Sequence, residues 1–262
     1  MKNIITFFFI LIFAVGIAHA ADPIGMVVAV QGAATATDSA GSSRELAISS
    51  DIFLNDSVQT GPASRLQIIL NDDSLVAQGE SSEMTIDEYV YNPAQASDNA
   101  FGAKLGKGLF RTVTGKITDL NPDRFAVKTA RATIGIRGCD LGFNITPSED
   151  NISIITIPGG KKIFVNPLLG GKGLTIESPS FVTVNSRGMI QQRPLTAADR
   201  SNAQQGTTPG AGSSMLNPAD VGADGSDILG GGLSGPASLI TDGPILQNTA
   251  QPPMESHLGP FQ

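Results

Sequence analysis

Residues Phe125–Gly138, FAVKTARATIGIRG, decide how the rest of the chain reads. Phe125, Val127 and Thr129 share one parity, whereas Ala132, Ile134 and Ile136 share the other. Strand side chains alternate between two faces, so a change of phase requires a bend or bulge. The spacing places that corner at Ala130–Arg131, with Gly138 ending the second strand. Gly135, between two isoleucines, predicts a point where another backbone packs close.

The same pattern extends in both directions. Met26–Val30 is apolar throughout, and Leu66, Ile68 and Leu70 alternate within Arg65–Leu70. Asn71-Asp72-Asp73 follows as a turn, because Asn and Asp tolerate left-handed backbone. Met84–Val90 reads as a strand with Met84, Ile86 and Glu88 opposite Thr85, Asp87 and Tyr89. Downstream, Leu141–Thr146, Ile152–Ile157, Lys161–Val165, Leu174–Glu177 and Phe181–Asn185 continue the series, with Pro158-Gly159-Gly160 as a turn. Gly, Pro, Asn, Asp and Ser break the apolar runs at the spacing of all-β architectures, and no sustained helical stripe occurs.

A weak internal repeat links Gly61–Ile68, Glu80–Ile86 and Ser178–Val184, each a turn followed by alternation. The first two lie about 18 residues apart, near one coil of a β-solenoid. The expected fold is therefore all-β and elongated, a β-solenoid-like stack of short strands, with a β-sandwich as the alternative.

The ends differ from this body. Lys2, the apolar run Ile4–Ile17 and Ala18-His19-Ala20 have the three parts of a secretory signal, predicting cleavage between Ala20 and Ala21. No later run is long and apolar enough to span a bilayer as a helix. Residues 21–193 form the expected domain, and 194–262 a low-complexity tail. Pro194–Asp199 could start one short helix, with Thr196 as N-cap and Asp199 at the capping-box position. From Ser201 onward Gly and Pro are frequent and apolar residues come singly or in pairs, so disorder is expected.

The chemical inventory is sparse. Of two histidines, His19 falls in the predicted signal and His257 in the predicted tail, which leaves no histidine for a nucleophile triad or for metal ligation. The one cysteine, Cys139, allows no intramolecular disulfide and reads as a small, semi-buried residue. Asp72-Asp73, Asp87-Glu88 and Asp51 with Asp56 are the closest acids, but strand neighbours point to opposite faces and the turn pair is explained by backbone needs. No catalytic residue, cofactor site or metal site is expected. The net charge of −7 and pI near 4.8 argue against nucleic acid and anionic membrane surfaces, since no Lys/Arg run compensates locally.

In order, the chain shows VAVQGAATAT, then DIFLNDSVQTGPASRLQIILNDDSLVAQGESSEMTIDEYVYNP, then GKGLFRTVTGKI, then FAVKTARATIGIRG. These four blocks, spanning Gly25–Gly138 with a weaker continuation to Asn185, resemble the FecR-type domain of bacterial cell-envelope proteins. Asn71-Asp72-Asp73-Ser74 stands where the family has an Asp-Gly-Ser turn, and Cys139 where Thr is usual. The resemblance implies an elongated periplasmic module that works through a protein partner in envelope signalling. A surface-displayed structural rod is the alternative. Arg131 and Arg137 flank the signature and are the candidate partner-binding residues, because a guanidinium fork suits an acidic partner.

Overall fold

The computed structural model describes residues 21–210 and 214–215. The expected signal segment, including His19 and Ala20, lies outside them, as do His257 and most of the expected tail.

Strands dominate. In order they are β1 (Gly25–Gln31), β2 (Ala34–Thr37), β3 (Ser43–Glu45), β4 (Asp51–Ile52), β5 (Ser57–Thr60), β6 (Arg65–Leu70), β7 (Leu75–Gln78), β8 (Glu83–Val90), β9 (Ala100–Leu105), β10 (Gly108–Val113), β11 (Phe125–Lys128), β12 (Ala132–Ile136), β13 (Asp140–Ile145), β14 (Glu149–Thr156), β15 (Ile163–Pro167), β16 (Leu174–Ile176), β17 (Ser180–Asn185), β18 (Ile190–Pro194) and β19 (Ser214–Met215). Helix α1 (Ile117–Leu120) follows β10, and α2 (Ala197–Gln205) follows β18.

These strands form two sheets. The first runs β18-β17-β14-β13-β10-β7-β6-β1-β19, with β4 also paired to β1; the second runs β16-β15-β12-β11-β9-β8-β5-β2-β3. From β5 onward, strand order across each sheet follows order along the chain. From β6 the chain lays a hairpin in one sheet, crosses, lays one in the other, and advances. Only β10 enters alone. That single strand returns the chain to its starting edge, so β9 and β11 run the same way and form a parallel ladder, stacking Phe101 on Phe125 at 4.2 Å between centroids. Every other ladder among the described residues is antiparallel.

The all-β expectation holds, but stacked solenoid coils are not what forms. Hairpins satisfy backbone groups locally, and each presents one apolar face, so two mostly antiparallel sheets share one core. That core runs through both sheets, with Leu66, Ile68, Ile134, Ile136, Leu141, Ile152 and Val182 fully buried in it. Sequential advance survives from the solenoid expectation. At about 4.8 Å per strand, nine strands span roughly 40 Å, longer than any one strand.

Local predictions fare unevenly. The corner at Ala130–Arg131 is real, and it is a full reversal: Val127 pairs with Ile134 across a hairpin, so both parities face the core. The parity assigned to Glu88 is corrected. The ladder shifts register between Ile86 and Glu88, a bulge that returns Tyr89 to the core and leaves Glu88 beside Gly102 on the outer face. Gly135 is corrected too, because a Cβ there would meet only the Phe164 side chain, at an ordinary 3.7 Å.

The internal repeat marks one recurrent corner. Ala63 and Ser81 share positive φ of 53° and 50°, and each precedes a buried serine. Ser64, Ser82 and Ser180 all donate to the carbonyl two residues back. Ser64 Oγ also accepts from Ala33 N at 2.9 Å, and Ser82 Oγ from Leu109 N at 2.9 Å, satisfying backbone where the chain changes sheets. Glycine is needed opposite: at Gly108, φ is 121° and a Cβ would lie 2.0 Å from Ser82 Oγ.

Beyond Pro194 the described residues continue through helix α2 to Gly210. The capping box of Thr196 and Asp199 forms as read, and Arg193 pairs with Asp199 at 2.6 Å while lying 3.9 Å from the Phe181 ring. Helix α2 then crosses the outer face of the first sheet. Ala203 packs on Gly142, where any Cβ would lie 2.5 Å from its own, and the Gly206 carbonyl lies over Gly79. Thr207 is buried, Gly210 N donates to Gln31 Oε1 at 3.0 Å, and Ser214–Met215 pairs with the edge of β1. Helix α2 and the residues after it thus pack on the outer face of the first sheet, where Gly79 and Gly142 leave room for them.

Candidate protein-binding surface

Arg131 is brought inward. Its side chain, 9% exposed, reaches Asp150 Oδ1 at 2.6 Å and donates to the carbonyls of Thr146, at 3.1 Å, and Pro147. Thr129 Oγ1 donates to the other Asp150 oxygen at 2.6 Å and accepts from Ala132 N at 2.9 Å. Asp150 sits on β14 in the first sheet and the Thr129–Arg131 turn in the second, so this cluster clasps the sheets together. Its fork is spent on the fold, and no acidic partner can take it without breaking the clasp.

Asp150 was not picked out from the sequence, although a signal existed. It shares parity with Ile152 and Ile154, so an ionised group at a core-phase position demands a buried cation.

Arg137 stays at the surface. It pairs with Asp123 at 2.5 Å and lies over the Phe164 ring at 4.8 Å, on the outer face of the second sheet. The two candidate arginines therefore do not converge.

The acids are likewise committed. Asp72 is fully buried and accepts from Ser74 Oγ at 2.7 Å, Tyr89 Oη at 3.2 Å and Ile117 N at 3.3 Å. Burial raises its carboxyl above the ordinary range, against the lowering effect of those bonds. Asp87 pairs with Lys104, Glu88 with Arg124, and Asp56 with Arg44. Burial also pushes the Cys139 thiol up, which disfavours the reactive thiolate. Among the described residues no group of three metal-ligating side chains gathers. Among the described residues the buried side-chain atoms left without partners, Arg65 Nε, Gln78 Oε1 and Asp87 Oδ1, belong to three different strands. An open depression of about 300 Å³ beside Ser178–Ser180 and Gln192–Pro194 offers no titratable group besides Arg193.

The sheet ends remain. Strand β18 ends the first sheet, and β16 and β3 end the second, each with one side unpaired among the described residues.

The sequence pattern described as FecR protein matches residues 56–160. The chain carries a FecR domain. As matched, the FecR domain opens at Asp56, the buried partner of Arg44, and closes in the turn before β15. It contains the signature hairpin, the Arg131–Asp150 clasp and Arg137. The remaining strands extend both sheets beyond it. Two crystal structures of a "putative anti-sigma factor" from Parabacteroides distasonis ATCC 8503, at 1.65 and 2.50 Å resolution, are similar to this chain at 14% identity and a TM-score of 0.42. The similarity covers 55% of this chain and 62% of that one, so this chain spans under two thirds of the length of the solved relative. No curated protein is measurably similar to this chain. Among the described residues no helix is long and apolar enough to cross a membrane.

Proposed function

We propose that this protein is a non-catalytic, exported module of the bacterial cell envelope that binds a protein partner and relays a signal through that contact. The carrying observation is that the acids and the arginine singled out in the sequence are engaged in ion pairs and hydrogen bonds within the fold, while unpaired strands lie at the sheet ends. An unpaired strand accepts an extended segment by main-chain hydrogen bonds, a general mode of peptide recognition. Strand β18 suits this role because most of its residues are exposed. Arg137 is the signature residue left to meet an acidic group on such a partner, by exchange with Asp123. Cleavage between Ala20 and Ala21, and location in the periplasm or outside the cell, belong to the same proposal.

The test is site-specific photocrosslinking in intact cells. A probe at Gln191 on β18 should trap one discrete protein, and a probe at Thr85 on interior strand β8 should not. Equal trapping at both positions, or none at Gln191, defeats the proposal. Sequential strand order also favours a second reading, a displayed structural rod. External protease on intact cells should then remove the protein, whereas a periplasmic module stays protected.

A further inference from the structure

The two loop edges of the sheets differ in charge, a difference that no stretch of sequence shows. Register places the turns at 106–107, 129–131, 146–148, 168–173 and 186–189 along one edge. On the opposite edge Lys116, Arg137 and Lys161 are paired with Asp73, Asp123 and Asp119. On the first edge Lys128, Lys172 and Arg187 enter no ion pair among the described residues.

Lys128 lies on the same cross-strand row as Asn166, two strands or about 10 Å away. Lys172 and Arg187 sit on the loops 168–173 and 186–189, which touch: Gly188 lies against Gly170 and Leu169. Neither loop contains an acid. The nearest acid by register is Glu149, opposite Asn185, and its carboxylate accepts from Asn151. Farther along, Glu83 lies beside Lys107 and offsets it. The positive excess is therefore confined to the end nearest the two loops.

The same two loops carry Leu168, Leu169 and Met189, exposed by 57%, 66% and 51%. Three large apolar side chains projecting between cations are matched by a surface that is anionic outside and apolar beneath. An acidic protein face would match the charge but would leave projecting leucines without a pocket. We infer that this loop tip is a peripheral membrane-docking site, in which Leu168, Leu169 and Met189 enter the interface of a lipid leaflet and Lys128, Lys172 and Arg187 meet its anionic headgroups. The overall charge of −7 does not prevent this, since charges more than about 8 Å away are screened at physiological salt. The site adjoins the start of the β18 edge proposed for the protein partner, through Met189, but vesicle binding is observed without any partner.

The test is sedimentation of the purified protein without the expected signal segment, residues 21–262, with phosphatidylcholine vesicles that contain or lack phosphatidylglycerol. Binding should require phosphatidylglycerol and weaken with salt. Each cation near the surface is worth about a fivefold change, so Lys172→Glu with Arg187→Glu should lower binding by about thirtyfold or more. Leu168→Ser with Leu169→Ser should lower it by about tenfold or more, while Leu54→Ser on the opposite edge leaves it unchanged. All three replace exposed side chains, and circular dichroism verifies their folding. Wild type that ignores phosphatidylglycerol, or tip variants that bind as wild type does, would overturn the inference. So would retention on immobilised polyglutamate without vesicle binding, which would assign the tip to an acidic protein.

Discussion

Arg131→Ala separates the two roles a signature arginine could play. The substitution strips the fully buried Asp150 of its cation and leaves Thr129 Oγ1 as its side-chain donor. It also frees the carbonyls of Thr146 and Pro147. Breaking one side of a buried ion pair costs about 3–5 kcal/mol, because the remaining charge stays desolvated. For a domain of this size, about 2–4 °C of midpoint accompanies each kcal/mol, so Tm should fall by about 10 °C. Replacing both partners, as Arg131→Met with Asp150→Val, removes the stranded charge and should recover much of the loss. Urea unfolding of the wild type, Arg131→Met, Asp150→Val and the double variant gives the coupling energy. A single-variant cost below about 1 kcal/mol, with partner capture lost under conditions where it is folded, would refute the clasp and return Arg131 to the binding surface.

Three further outcomes follow from the geometry. Gly108→Ala combines a positive φ with a collision against Ser82, and should destabilise by at least about 1–3 kcal/mol, whereas Gly135→Ala should be nearly neutral; thermal melts of both variants distinguish them. The Asp199 carboxyl is held well below its ordinary value, chiefly by Arg193 with help from Thr196, so its stabilising share is complete above the unfolded value of 3.8 and is lost as pH falls through the depressed folded value. Hydrogen exchange in Ala197–Gln205 should therefore accelerate in strong acid, and at neutral pH in Asp199→Ala. Cys139 should resist thiol reagents in the native protein and react fully once unfolded, because burial hinders access and disfavours the thiolate.

Alternation alone located most strands and the Ala130–Arg131 turn, since a half-buried strand must show period two. What alternation cannot tell is which strand lies beside which. Solenoid coils and sandwich hairpins bury the same parity, so Gly61–Ile68 and Glu80–Ile86 were compatible with either. The bulge before Glu88 was hidden because one inserted residue changes every later face without changing composition. Gly142 and Ala203, far apart in sequence, gave no sign of meeting. The capping box at Thr196 was legible because its partners are three residues apart. The candidate site divides the same way: Arg137 remained at the surface, but Arg131 was claimed by Asp150 through long-range topology. The cations of the loop tip come from the end of β11 and from two turns that only register brings to one edge.

Hydrogen exchange on the protein bound to its crosslinked partner tests the central claim most directly. The account predicts slowed exchange along β18, with the interior strands unchanged. Slowing confined to the interior of a sheet, or no slowing along β18, would contradict it.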